Sequence, residues 1–300
     1  MNGIRHIETI GDLNSMLRQE KSRHPLVSII DFSKIGPHGE ETVRLTTGFY
    51  AVMIKQNCSG KFKHGRKYYD FQEGTLICIA PNQVVAFESE SHSDLVGWGL
   101  FFHPDLIRGT ALGKKIHQYS FFRYVSEEAL HLSDGEKQIL LEGIFLIDRE
   151  LSSHIDRYSQ PIAVSAIELL LNQCARFYDR QFVTRSVPNK DIVEKFEDAL
   201  NDYLNSGATR QEGLPTVKWL ADRLFLSPNY LSDLLKKETG KNAQEHIHSR
   251  IIEEAKNQLA HSDSTVGEIA YTLGFEYPQY FSKLFKLKTG MTPAAYRNGR

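Results

Sequence analysis

The sequence predicts an α+β chain: an N-terminal antiparallel β-sandwich or barrel, a pair of helices, and an all-α C-terminal region with two helix-turn-helix units. Three observations predict it. Between about residues 25 and 125, short runs rich in Val, Ile, Phe and Tyr are separated by Gly, Pro, Asn or charged turns. From Ser133 onward, apolar residues recur at helical spacing. The last third of the chain repeats itself, with VKWLADRLFLSPNYLSDLLKKETG from Val217 and VGEIAYTLGFEYPQYFSKLFKLKTG from Val266. Two copies of about 50 residues are too few for a solenoid and match tandem helix-turn-helix units.

Taken in order, residues 1–20 hold one short helix around 10–19. The strand runs are LVSIIDF, LTTGFYAVMIK, KYYDFQ, TLICIAP, VVAFESE and DLVGWGLFFH. Ser133 opens a helix with a capping-box pattern completed by Glu136, and Ile139, Leu140, Ile144, Phe145, Ile147 and Leu151 follow at helical spacing. A second helix runs over 161–182, carrying Ile167, Leu170, Leu171, Cys174 and Tyr178. The stretch 183–190 is polar, holds Pro188 and lacks periodicity, so it reads as a linker. Everything after Asp191 reads helical. The predicted domains are therefore 1–130, a helical pair and linker over 131–190, and 191–300.

The 300 residues, 41% hydrophobic and 24% charged, fit a folded protein of about two domains. No apolar run approaches the ~18 residues of a membrane span, and the first residues lack the basic-then-apolar pattern of a signal peptide. Cys58, Cys78 and Cys174 are few, odd in number and far apart. They exclude a disulfide framework, indicate a reducing, cytoplasmic setting, and read as buried small apolar side chains. A net charge of −1 gives no global support for nucleic-acid binding, but cations are needed only locally. Residues 278–290 carry Lys283, Lys286 and Lys288 with no acid, whereas in 228–240 Lys236 and Lys237 are offset by Asp233 and Glu238.

In the first repeat, residues 217–224 form a short helix in which Ala221 allows a close helix crossing. Ser227 is the N-cap of the next helix, Pro228 its first residue, and Gly240 its left-handed end. Leu231, Leu234 and Leu235 face the core. The second repeat opens on a Thr265–Glu268 capping box, buries Phe281, Leu284 and Phe285, and ends at Gly290. The outward residues are Asn229, Ser232, Asp233 and Lys236 in the first copy, and Gln279, Ser282, Lys283 and Lys286 in the second. Asn and Gln can pair with adenine, Lys can donate to guanine, and Ser can reach bases or phosphates. Ser227 joins this candidate DNA-binding set. Between the copies, residues 242–260 form a helix of roughly 28 Å at ~1.5 Å per residue, comparable to the ~34 Å between successive major grooves on one DNA face.

Residues 191–300 resemble the DNA-binding domain of AraC-type (AraC/XylS family) transcriptional regulators. The match lies in ADRLFLSPNYLSDLLKKETG, the linking helix, IAYTLGFEYPQYFSKLFKLKTG, and the closing MTPAAYR with Pro293, Tyr296 and Arg297. Asp233 departs from the family, in which many relatives carry Arg or another non-acidic residue there; an anion at that place could accept from a cytosine amino group. The resemblance implies binding to double-stranded DNA, contact with RNA polymerase, and a homodimer. It also implies an N-terminal cupin-like sandwich that binds a small-molecule effector or mediates dimerisation.

GTLICIAPNQVVAF from Gly74 fits the cupin pattern, but His64, His92 and His103 stand singly, without the His-x-His that begins a cupin metal site. No metal, cofactor or catalytic residue is therefore expected, and a cupin-type enzyme with a helical appendage is the alternative reading. A pocket would draw on Phe49, Tyr50, Tyr68, Tyr69, Phe71, Trp98 and Phe101, with Tyr50, Tyr69 and Trp98 the effector candidates. Residues 134–153 and 161–182 are the candidate dimer helices.

Overall fold

Alternating apolar residues build the N-terminal half into sheets, and helical periodicity builds the rest. The computed structural model describes residues 4–19, 22–35, 43–56, 58–64, 67–71, 74–87, 96–124, 128–153, 156–184 and 186–298. The chain divides into two compact units, Met1–Thr184 and Arg185–Arg300.

The first unit contains β1 (Arg5–Ile7), α1 (Ile10–Met16), β2 (Val27–Asp31), β3 (Val43–Thr47), β4 (Tyr50–Gln56), β5 (Cys58–His64) and β6 (Lys67–Phe71). There follow β7 (Thr75–Ile79), β8 (Val85–Phe87), β9 (Val96–Phe102), α2 (Pro104–Ile107), α3 (Ala111–Lys115), β10 (Leu130–His131), α4 (Asp134–Leu151) and α5 (Ser159–Thr184). An antiparallel sheet runs in the order β10-β7-β4-β9-β2, a smaller sheet in the order β1-β3-β8 with β1 and β3 parallel, and β5 pairs with β6.

Register gives the larger sheet two distinct faces. Ala51, Met53, Ile77, Ile79 and Phe101 join Ile7, Leu45 and Val85 of the smaller sheet in one buried apolar core. Tyr50, Val52, Ile54, Trp98, Leu100 and Phe102 alternate onto the opposite face, where the Trp98 ring meets Phe145 of α4 edge-on at 4.9 Å. Helix α4 starts at the predicted Ser133–Glu136 capping box. Burial works against the Glu136 carboxylate, but the Ser133 N–H and the Arg180 guanidinium outweigh it and hold its pKa below the usual range. Arg180 also donates to the His131 carbonyl at 2.9 Å, and Gln181 accepts from the His131 N–H at 2.9 Å, so the end of α5 is tied to β10.

The second unit is helical throughout: α6 (Ser186–Asn205), α7 (Ala208–Glu212), α8 (Val217–Leu224), α9 (Pro228–Thr239), α10 (Ala243–His261), α11 (Val266–Thr272), α12 (Pro278–Thr289) and α13 (Pro293–Asn298). One buried cluster runs through it, from Phe196 and Leu200 through Leu220, Leu231 and Leu235, then Ile247, Ile251 and Ile252, to Ile269, Phe281 and Phe285. Each such side chain contributes about 1.5–3 kcal/mol on burial. The closing motif is structural. Pro293 is buried, Tyr296 packs edge-on against Phe285 at 5.5 Å, and Arg297 donates to the Leu259 carbonyl at 3.3 Å and the Ser264 carbonyl at 2.7 Å.

Several expectations need correction. The stretch 183–190 holds the division between the two units, but its described residues are helical: α5 continues to Thr184 and α6 begins at Ser186. Pro188 falls in the first turn of α6, where a missing N–H breaks no helical hydrogen bond. The first helix ends at Met16, and strands β1, β5 and β10 lie outside the expected runs. The run LTTGFYAVMIK divides between β3 and β4 at Gly48, where a Cβ would lie 2.7 Å from the Glu8 carbonyl oxygen.

Gly274 illustrates how tightly the second unit is packed. Its φ is +92°, and a Cβ there would lie 2.7 Å from the Gly213 carbonyl carbon and 2.9 Å from the Thr209 carbonyl oxygen. The Thr209 hydroxyl reinforces this contact by donating to the Thr272 carbonyl at 2.9 Å. Gly290 shares the left-handed conformation, with φ +79°, but faces open space. Gly290→Ala should therefore cost about 1 kcal/mol, and Gly274→Ala roughly 2–4 kcal/mol. Urea unfolding of the two variants checks this; equal midpoints would contradict the close approach.

Candidate nucleic-acid interface

The first helix pair is α8–α9. The Thr216 hydroxyl caps α8 by accepting from the Trp219 N–H at 3.1 Å. At its end Phe225 takes a left-handed conformation, φ 58°, and the Leu226 N–H donates back to the Ala221 carbonyl at 3.0 Å. Ser227 then caps α9, its hydroxyl accepting from the Tyr230 N–H at 3.1 Å, and Pro228 follows in the first turn. Leu231, Leu234 and Leu235 are buried. At the far end the Thr239 hydroxyl donates to the Leu235 carbonyl at 2.7 Å and accepts from the Lys241 N–H at 3.2 Å, beside left-handed Gly240.

The second pair, α11–α12, repeats this geometry. The Thr265–Glu268 capping box opens α11, and the Phe275 N–H donates to the Ala270 carbonyl at 3.0 Å, as Leu226 does to Ala221. The Thr289 hydroxyl donates to the Phe285 carbonyl at 2.8 Å and accepts from the Met291 N–H at 3.2 Å, beside left-handed Gly290. The pairs differ at the turn. One extra residue, Glu276, precedes Tyr277, which takes the N-cap position without a side-chain capping bond. The next matched residue also diverges: Tyr230 is 5% exposed and Tyr280 is 66% exposed.

Helical spacing brings the candidate residues of each pair onto one side. Asn229, Ser232 and Asp233 are half-buried and Lys236 is exposed on α9; on α12, Gln279, Lys283 and Lys286 are exposed and Ser282 is half-buried. Ser227 is buried, so it supports α9 from beneath that surface. Leu284, expected in the core, is only partly buried at its edge. Sequence reasoning missed Tyr277 and Tyr280, although an aromatic residue at an N-cap position was a legible irregularity. Two histidines of α10 are disfavoured as cations by their surroundings. Burial, then Lys241, lowers the pKa of His246, and burial, then Lys288, lowers that of His248.

Helix α10 starts at the Asn242–Glu245 capping box and is 19 residues long, about 28 Å at ~1.5 Å per residue. Its buried Ile247, Ile251, Ile252, Ala255 and Leu259 belong to the same core as both helix pairs.

In the first unit the described aromatic candidates fall on two faces of the larger sheet. Tyr50 stacks on Phe102 at 5.0 Å and meets Phe122 at 4.9 Å, and Trp98 packs on Phe145, all on one face of the larger sheet. Phe49 and Phe101 lie on the other side, edge to face at 6.1 Å in the shared core. The side chains of Tyr68, Tyr69, Phe71, His64 and Cys58, and residue His92, lie outside the described residues. His103 caps α2 by accepting from the Asp105 N–H at 3.2 Å. Cys78 and Cys174 are buried and free. Burial, then contact with Cys174, pushes the Cys78 thiol well above its ordinary pKa. Among the described residues no cluster of His, Cys, Asp or Glu could hold a metal ion, and no helix is long and apolar enough to cross a membrane.

The capping difference between the pairs can be measured. Ser227→Ala removes a buried cap and should cost about 1 kcal/mol, read as a lower thermal midpoint. An unchanged midpoint would mean that the bond carries no net stability.

A family model described as a helix-turn-helix domain matches residues 220–299. The chain is similar to the uncharacterized HTH-type transcriptional regulator YijO of Escherichia coli (strain K12), 27% identical over 186 residues, 62% of each chain. It is also similar to the uncharacterized transcriptional regulatory protein YesN of Bacillus subtilis (strain 168), 41% identical over 85 residues, 27% of this chain and 23% of that one. The matches thus span less than two thirds of these relatives' lengths. Among solved structures, the C-terminal domain of the two-component response regulator yesN from Fusobacterium nucleatum matches at 31% identity and a TM-score of 0.30, over 34% of this chain and 96% of that one. Residues 220–299 thus form a helix-turn-helix domain of AraC type.

Proposed function

We propose that the chain is a sequence-specific, double-stranded-DNA-binding transcriptional regulator in which α8–α9 and α11–α12 are two helix-turn-helix units. The observation that carries this reading is the duplicated geometry on either side of α10. Two recognition helices, α9 and α12, each present an outward polar face, and the helix between them is about 28 Å long. Successive major grooves on one side of a duplex lie ~34 Å apart, so one chain could engage both. In α12, Gln279 would pair with adenine, Lys283 and Lys286 would meet guanine or phosphate, and Ser282 would support them. In α9, Asn229, Ser232 and Lys236 take the corresponding places, Asp233 would accept from a cytosine amino group, and buried Ser227 positions the helix.

The first unit, in the same reading, is a cupin-like sandwich that senses a small-molecule effector, mediates homodimerisation, or both. Its shared core between two sheets supports the fold assignment, and no enzymatic step is invoked. Any effector must bind two arrangements of the domains with different affinity. Exposed Ile139 and Leu146 on α4, with Ile162 and Leu169 on α5, support these helices as the dimer surface. Cytoplasmic location is supported by the few, widely spaced cysteines, and contact with RNA polymerase by the family resemblance.

Lys283→Ala tests the reading at a single exposed cation. Anisotropy titrations against a duplex selected by the full chain should show weaker binding. The log–log salt slope should fall by about one if Lys283 meets phosphate, or discrimination at one base pair should relax if it reads a base. Unchanged affinity, slope and discrimination would remove Lys283 from the interface.

A further inference from the structure

We infer that Tyr280, braced by Tyr277, is an apolar base reader of α12 that packs on the C5-methyl group of thymine, so that the DNA contacted by α12 contains a T·A pair there. The inference rests on the DNA-binding reading above and names what α12 recognises. Its first support is the contrast in exposure: Tyr230 in the first pair is 5% exposed, whereas Tyr280 is 66% and Tyr277 50% exposed. The core beneath α12 is already filled by Phe275, Phe281 and Phe285, so neither tyrosine is needed to close it.

Capping is the second support. Ser227 caps α9, but Tyr277, at the equivalent position of α12, makes no capping bond. The chain forgoes a local stabilisation there and places an exposed ring instead. Local sequence rules are broken in this way at functional positions. The two rings meet edge to face, 5.8 Å apart, which restrains Tyr280 at the start of the helix.

The chemistry then narrows the ligand. In the major groove the thymine methyl is the apolar feature that a side chain can recognise, and adenine offers the paired sites that a Gln amide matches. Gln279 stands next to Tyr280, and Lys283 is one turn further along. No carboxylate lies between Pro278 and Gly290 to oppose approach to the duplex.

The test uses the full chain and a duplex selected from a random pool, with each thymine replaced singly by deoxyuridine, which lacks only the methyl group. The wild type should lose about 4-fold in affinity at one thymine beneath α12, the worth of roughly one buried methyl group. Tyr280→Ala should bind the parent duplex more weakly and show no further loss at that position. Tyr280→Phe, which keeps the ring, should retain the wild-type response. Tyr277→Ser should raise the melting temperature by restoring a cap while weakening binding. Equal deoxyuridine sensitivity in the wild type and Tyr280→Ala, or sensitivity at no thymine, would overturn the inference. So would unchanged DNA binding by Tyr277→Ser, because the bracing would then be idle. Failure to select any duplex would instead overturn the DNA-binding reading itself.

Discussion

The apolar face of α10 is buried against helices of both pairs, so the separation of α9 and α12 is set by packing rather than by a flexible tether. Ala243, Ile247, Ile251, Ile252, Ala255 and Leu259 are all buried. The Asn242–Glu245 box fixes where the helix begins, and Arg297 holds the Leu259 carbonyl near its end. A helix rises a set distance per residue, so its length becomes a ruler between two candidate DNA-reading surfaces. Without that core each pair would be a short helical hairpin with too little apolar surface to hold itself in place.

The two pairs are alike where the backbone must be satisfied and unlike where side chains face outward. Both turns use a bond from the residue after the left-handed position back to an alanine carbonyl, and both second helices end in a Thr–Gly cap. Above that shared frame, α9 is capped by a buried serine and carries two acids, Asp233 and Glu238, whereas α12 has no side-chain cap and no acid and carries aromatic and cationic residues. The first pair is therefore optimised locally, and the second gives up local stability in the place where recognition is proposed.

Much of the second unit was legible because helix signals are local. Ser227–Pro228, Thr265–Glu268, Asn242–Glu245, Gly240 and Gly290 mark boundaries through hydrogen bonds within one turn. The first unit was less legible because sheets depend on distant pairing. Strand β1 pairs with β3 some forty positions away, and the three residues of β1 show no alternation to detect. The faces of Tyr50 and Trp98 follow from register, and enrichment in aromatic residues alone does not reveal register. Polar 183–190 looked like a linker because composition does not say that Pro188 can sit in a first helical turn. Tyr277 was overlooked because its significance lies in comparison with Ser227, and that needs the turn insertion placed at Glu276.

The account stands on one geometric claim, that α9 and α12 lie on one side of a duplex in successive major grooves. Hydroxyl-radical footprinting and base-methylation interference with the full chain on a selected duplex measure this directly. The account predicts two contacted segments whose centres are about 10 base pairs apart on the same side of the helix. A single contacted segment, or two on opposite sides of the duplex, would contradict it.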